Sequence, residues 1–312
     1  MLVDKIMKQR IIYMRHQYHP LGFEGSRIAQ GFWRLNEWNI TSTEALSFIE
    51  SCLDLGVTTF DHADIYGGYQ CEALFGDALK QKPALRDKME IITKCGILLP
   101  SENRPDIQVH RYEYSAEHIL ASVDKSLANL QCEYIDTLLL HRPSPLMDAD
   151  EVAQAFDLLF TLGKVKHFGV SNFTTHQFDL LQSRLDAPLI INQVELSPLA
   201  LQHFEDGTLD HVQQHAVTPM AWSPFAGGDL FSSCNEKSIR VQAVLKDLSG
   251  KYNCSMDQLV VAWLLRHPAG ICPVMGSGKI NRLVSAVEAI SISLSDDDWF
   301  QIWVSSQGKP VP

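Results

Sequence analysis

Short β-branched and aliphatic runs alternate with longer amphipathic stretches over nearly the whole chain. Eight runs read as strands, around 28–30, 57–60, 90–93, 135–140, 167–170, 190–194, 218–221 and 271–274, each short enough for a barrel strand. The stretches between them repeat apolar residues at helical spacing: Ala45, Leu46, Ile49 and Leu53 within 42–55, and Ile119, Leu120, Val123 and Leu127 within 115–130. The first of these opens with Thr41-Ser42-Thr43-Glu44, which has the hydroxyl and carboxylate chemistry of a helix N-terminus. Strand followed by helix, repeated, is the pattern of βα units on a parallel sheet, and eight such pairs predict an α/β fold of the (β/α)8 TIM-barrel type. Ahead of the first strand, 11–25 reads as a hairpin turning near His19-Pro20-Leu21-Gly22, placed to plug the closed end of the barrel.

A chain of 312 residues has room for two average domains or one large barrel. No Pro/Gly/Ser-rich linker, composition shift or fixed-period repeat divides it, which favours a single domain over 1–312. With 46% hydrophobic and 20% charged residues it can bury a sizeable core, so disorder is excluded. A net charge of −11 with no run of Lys or Arg argues against a nucleic-acid partner. The basic start, 1–10, is followed by Ile11-Ile12-Tyr13-Met14, too short for the core of a secretory signal. Nowhere do about 18 uncharged apolar residues run together, so no membrane span is expected. Seven cysteines without a Cys-x-x-Cys pair disfavour a disulfide framework or zinc site and point to a reducing, cytoplasmic location.

Polar residues that are hard to bury recur at the carboxyl ends of the expected strands: Asp61, Lys94 and His141. A barrel keeps its catalytic groups there, and the two long connections, 96–114 and 223–237, lie on the same face. Around these residues the wording becomes specific. Phe60-Asp61-His62-Ala63-Asp64-Ile65-Tyr66-Gly67 resembles the signature of the aldo-keto reductase family. Thr93-Lys94 resembles its third-strand lysine, and Leu140-His141-Arg142-Pro143 its fourth-strand histidine. Gly169-Val170-Ser171-Asn172, Asn192-Gln193-Val194-Glu195 and Trp222-Ser223-Pro224 extend the likeness over nearly the whole chain. Within the family, 61–72 and 163–173 are most similar to the bacterial YdhF-like oxidoreductases.

The resemblance implies an NADPH-dependent reductase of a small-molecule aldehyde or ketone, with Asp61, Tyr66, Lys94 and His141 as its catalytic tetrad. Elementary chemistry agrees. A carbonyl reduced to an alkoxide needs a proton, and a free tyrosine, with a pKa of about 10, is too weak a donor unless a cation stabilises its phenolate. Lys94 supplies that cation, Asp61 fixes Lys94 by a charge-assisted hydrogen bond, and His141 orients the carbonyl. Further implied are Ser171, Asn172 and Gln193 on the nicotinamide carboxamide and Trp222 stacked on its ring, followed by Ser223 and Pro224. Gly31 and Phe32 offer backbone to the cofactor, and Trp33 and Trp38 are candidate walls of the substrate pocket.

Pro273-Val274-Met275-Gly276-Ser277-Gly278-Lys279-Ile280-Asn281-Arg282 resembles the family's loop for the adenosine phosphate, with Gly276, Ser277, Lys279 and Arg282 as contacts. The sequence departs from the family here: a lysine common at the Gly276 position is absent, and Ser285-Ala286 stand where a Glu-Asn pair often meets adenine. The short stretch after Trp299 and the two pocket tryptophans predict an open site that prefers modest aromatic or dicarbonyl compounds. A nucleotide-binding regulatory barrel without turnover is the rival reading, and the complete tetrad speaks against it. An Asp61–Asp64 hydrolase pair is disfavoured because both acids lie in one loop. His211 and His215 stand four apart on an expected helix, but no third ligand is evident and no metal site is expected. Asp296-Asp297-Asp298 reads as a solvated helix start before Trp299.

Overall fold

The computed structural model describes residues 14–312. Residues 1–10 and the first part of the expected hairpin, Ile11 to Tyr13, lie outside the described residues. The remainder of that hairpin is present: β1 (Arg15–His19) pairs antiparallel with β2 (Phe23–Ser26). Eight parallel strands follow and close into a barrel. They are β3 (Ala29–Gly31), β4 (Thr59–Asp61), β5 (Glu90–Cys95), β8 (Ile135–Leu140), β9 (Val165–Ser171), β10 (Leu189–Glu195), β11 (Thr218–Trp222) and β12 (Cys272–Met275). The long connection after β5 is not irregular throughout, since β6 (Ile97–Leu98) and β7 (Arg111–Tyr112) form a small antiparallel ribbon within it.

The outer ring is built from α1 (Ser42–Asp54), α2 (Cys71–Leu79), α3 (Ala116–Leu130), α4 (Ala149–Thr161), α5 (Thr175–Gln182), α6 (Thr208–Gln214), α7 (Glu236–Tyr252), α8 (Met256–Leu265), α9 (Ile280–Glu288) and α10 (Asp296–Gln307). Thr41 caps α1 as expected, in a reciprocal capping box with Glu44. At α10 the cap is Ser295, and Asp298 is not solvated. Burial would raise its pKa, but bonds from Lys251, Ser295 and Tyr252 outweigh that and hold the carboxyl at about 2. α10 is thereby fastened to α7.

Two apolar clusters fill the space between helices and barrel wall, and a third lines the interior. The interior cluster joins Ile92, Leu139, Ile191 and Met220 of the strands to Tyr18 and Phe23 of the hairpin. Tyr18 donates to the Ser26 carbonyl at 3.0 Å, and its own carbonyl accepts from Thr218 Oγ1 at 2.8 Å. With that end plugged by side chains, the barrel interior opens at the opposite, carboxyl-terminal mouth. Among the described residues no helix is long and apolar enough to cross a membrane.

Candidate active site

Strand alternation decides which side chains enter the mouth. Asp61 ends β4 opposite Ile92 of β5, so Lys94, two residues further on, faces the same interior. Tyr66 is delivered by the turn after β4, which reverses through Gly67 at φ 58° and Gly68 at φ 63°. A Cβ on Gly67 would come within 2.5 Å of Cys71 Sγ and 2.7 Å of Asn36, so this reversal requires glycine on two counts. His141 follows the last residue of β8.

The four expected catalytic residues are brought together. Lys94 is fully buried, and its ammonium donates to Asp61 Oδ1 at 2.7 Å, to the His62 carbonyl at 2.8 Å and to the Tyr66 hydroxyl at 2.8 Å. All three ammonium protons are therefore spent, and the cation is held in one place. Tyr66 in turn lies 3.4 Å from Asp61 Oδ2 and packs edge-to-face on His141, with ring centroids 5.8 Å apart.

The electrostatics revise one expectation. Burial, followed by the adjacent Asp61 charge, pushes the Tyr66 pKa well above its usual value, so the carboxylate opposes what Lys94 does for the phenolate. Tyr66 is half-buried, and its resting phenol is protonated. Lys94 is lowered by burial and held up by Asp61. Burial, then Lys94 and Arg142, push His141 well below the ordinary histidine range, so the imidazole is neutral. Its Nδ1 is buried without a partner among the described residues, which leaves the other ring nitrogen to meet a ligand.

Gln193 has a role the sequence did not disclose. β10 lies opposite β4 in the closed strand order, and Gln193 Nε2 reaches across the interior to Asp61 Oδ1 at 2.7 Å. Its amide is thus shared between the tetrad and the edge expected to meet a carboxamide. That edge is continuous: Ser171 Oγ donates to the Gln193 carbonyl, Asn172 Nδ2 to Ser171 Oγ, and Trp222 Nε1 to Asn172 Oδ1 at 3.0 Å. Asn172 and Ser223 both adopt positive φ, turning the chain sharply at the ends of β9 and β11, while Pro224 is buried. His62, whose carbonyl holds Lys94, was also missed, because a backbone contact leaves no mark in residue type.

The expected aromatic contacts divide. Trp33 is 55% exposed, with its ring centroid 6.4 Å from that of Tyr66, beside the tetrad. Trp38 is not placed with it. Its indole packs on Phe32 and Phe48 and underlies Gly278, where a Cβ would come 2.5 Å from the ring. Phe32 is buried, stacked on His62 with its N–H donated to the Asp61 carbonyl, so it forms part of the wall below the mouth. Gly31 pairs with Asp61 at the mouth, where a Cβ would meet Val274 at 2.9 Å.

The loop after β12 leads straight into α9. Lys279 occupies the N-cap position without a side-chain cap, leaving the first N–H groups of the helix for another acceptor. Lys279 and Arg282 are exposed, with no ion-pair partner among the described residues, and Gly276 and Ser277 lie at the start of the same loop. This donor set suits a phosphate. Ser285 is not free for adenine, because its hydroxyl donates to Asp257 at 2.7 Å.

The aldo/keto reductase family profile matches residues 27–304. The chain belongs to that family. It is similar to the uncharacterized oxidoreductase YcsN of Bacillus subtilis, 51% identical over 92% of this chain and 96% of that one. Oxidoreductase YdhF of Escherichia coli is 50% identical over 94% and 97%. A 6-dehydroglucose reductase of Agrobacterium fabrum is 43% identical over 92% and 96%. Among solved structures, an aldo/keto reductase of Klebsiella pneumoniae in complex with NADP and acetate superposes with a TM-score of 0.74 at 24% identity, covering 89% of this chain and 90% of its own. As an aldo/keto reductase the chain is an oxidoreductase of the nicotinamide-using kind, on the barrel read from its pattern and with the YdhF-like affinity read from its motifs.

Proposed function

We propose that the chain, as one barrel domain in the cytoplasm, reduces aldehydes or ketones with NADPH, and that Tyr66 is the general acid. The observation that carries this reading is the threefold grip on Lys94, which fixes a buried cation 2.8 Å from a protonated phenol. NADPH, when bound, supplies the hydride. Neutral His141 donates a hydrogen bond to the substrate oxygen and positions it against Tyr66. The Tyr66 hydroxyl passes its proton to that oxygen as negative charge develops there, and Lys94 stabilises the phenolate left behind until solvent restores the proton. Asp61, braced by Gln193 from across the barrel, keeps Lys94 charged and in place. Ser171, Asn172, Gln193 and Trp222 would hold the nicotinamide end, with Ser223 and Pro224 shaping the turn beside it. Gly276, Ser277, Lys279 and Arg282 would hold the 2′-phosphate, a fit supported by the uncapped start of α9 and its two unspent cations.

Trp33 beside Tyr66 supports substrates that present a flat or apolar face, in keeping with small aromatic aldehydes and dicarbonyls. A hydroxylated aldehyde of the sugar class is the second reading, favoured by the reductase of 6-dehydroglucose at 43% identity. A panel of both classes, followed by loss of NADPH absorbance, separates them. The same assay on Tyr66→Phe tests the mechanism: kcat falls by about 10²–10⁴, the usual worth of a general acid, while NADPH affinity by fluorescence titration stays nearly intact. Wild-type turnover in the variant removes Tyr66 from the reaction. NADPH binding with no turnover on any carbonyl would instead support a regulatory barrel.

A further inference from the structure

We propose that the outer wall of the barrel carries a second site, for a divalent transition-metal cation of the Zn²⁺ class, made by Asp179, His211 and His215. The two histidines lie one helical turn apart, His211 within α6 and His215 at its C-cap, and by themselves they lack a third ligand. The fold supplies it: neighbouring α5 presents Asp179, whose Oδ1 lies 2.7 Å from His211 Nε2 and 3.9 Å from His215 Nε2. All three donor atoms fall within 4.8 Å of one another. Bonds of about 2.0–2.1 Å at tetrahedral angles put ligand atoms roughly 3.4 Å apart. The observed spacings bracket that value, so small side-chain rotations, without backbone movement, would close the site.

The arrangement has features beyond an ordinary His–Asp pair. Both imidazoles converge on one carboxylate oxygen, with their ring centroids 4.5 Å apart. Phe178 braces His211 edge-on at 5.1 Å, which fixes the direction of its Nε2. Among the described residues Asp179 has no Lys or Arg partner to neutralise it, and its side chain is 52% exposed, leaving solvent to complete the coordination. Two imidazole nitrogens with one carboxylate oxygen suit Zn²⁺ better than Mg²⁺ or Ca²⁺, which favour oxygen throughout. His215 stands just before β11, at the plugged end of the barrel and away from the tetrad. A bound ion there would tie α5 to α6.

The test uses the full chain, free of any affinity tag and stripped with EDTA, titrated calorimetrically with ZnCl₂. One saturable equivalent is expected, weakened about tenfold or more in His215→Ala and in Asp179→Ala. Zn²⁺ should raise the unfolding temperature of the wild type more than that of either variant, both variants matching the wild type without metal. Co²⁺ should give a visible spectrum lacking a thiolate charge-transfer band. Absence of saturable binding at submillimolar Zn²⁺, affinity unchanged in both variants, or a thiolate band that places the ion on a cysteine such as Cys234 would each overturn the proposal.

Discussion

Replacing Asp61 by Asn changes one charge and almost no volume, so its effect isolates the ion pair with Lys94. Lys94 has no exposed side-chain surface and Asp61 only 4%, and their atoms are 2.7 Å apart. Removing one partner of a buried pair typically costs about 3–5 kcal/mol, because the other charge is left without compensation. Lys94 has an escape, which is to fold neutral. Surrendering a proton from a normal lysine, pKa about 10.4, costs about 1.36 kcal/mol per pH unit, hence at most about 4.6 kcal/mol at pH 7 and about 1.2 at pH 9.5. The His62 carbonyl and Tyr66 hydroxyl, both at 2.8 Å, remain to accept from it. Burial already lowers the Lys94 pKa, and losing Asp61 lowers it further. The unfolded variant therefore binds one more proton than the folded one between that lowered pKa and about 10.4, and its stability rises with pH across the window. The expected loss is about 3–4.5 kcal/mol at pH 7, shrinking to about 1 at pH 9.5. Guanidinium unfolding followed by tryptophan fluorescence, on both proteins at both pH values, measures it. A loss below about 1 kcal/mol at pH 7, or an equal loss at both, would refute the reasoning.

Arg282→Ala should weaken NADPH by about 1.5–3 kcal/mol, the scale of a charged hydrogen bond, and leave NADH nearly unchanged. Equal losses in dissociation constants for the two cofactors would show that Arg282 does not read the phosphate. Because Tyr66 is pushed above its ordinary range and His141 below its own, kcat for reduction should stay level through neutral pH and decline only on the alkaline side, where Lys94, lowered by burial, gives up its proton. A pH–rate profile with a limb near neutrality would count against these protonation states. Gly278→Ala drives a methyl to 2.5 Å from the Trp38 indole and should cost about 1–3 kcal/mol of stability, relieved when combined with Trp38→Val. Denaturation of the single and double variants checks this, and an additive double loss would mean that the two groups do not meet.

Periodicity and strand-end chemistry made much of the molecule legible in advance. Alternating β-branched and helical patterns are local properties, so the eight strands and the helix start at Thr41 could be read from neighbours along the chain. Asp61, Lys94 and His141 stood out because polar residues at the carboxyl ends of barrel strands have few structural excuses. Tyr66 stood out through the motif that contains it.

What the chain could not announce depends on atoms distant in sequence meeting after closure. Gln193 lies 132 residues from the Asp61 oxygen it braces, and only the opposite placement of β10 and β4 brings them together. Asp298 reads as one of three exposed acids until α7 brings Lys251 and Tyr252 to it. Trp38 reads as a candidate pocket wall, and only the fold shows it half-buried against Phe32 and Phe48 beneath Gly278. Asp179 completes a triad with His211 and His215 only because α5 and α6 are neighbours in the outer ring. The sequence by itself determined the elements and the residue types of the tetrad, since those follow from local spacing. The tertiary structure alone decided the partners, burial and charge states of those residues, because hydrogen bonding and desolvation depend on distances that a closed barrel sets between strands far apart in the chain.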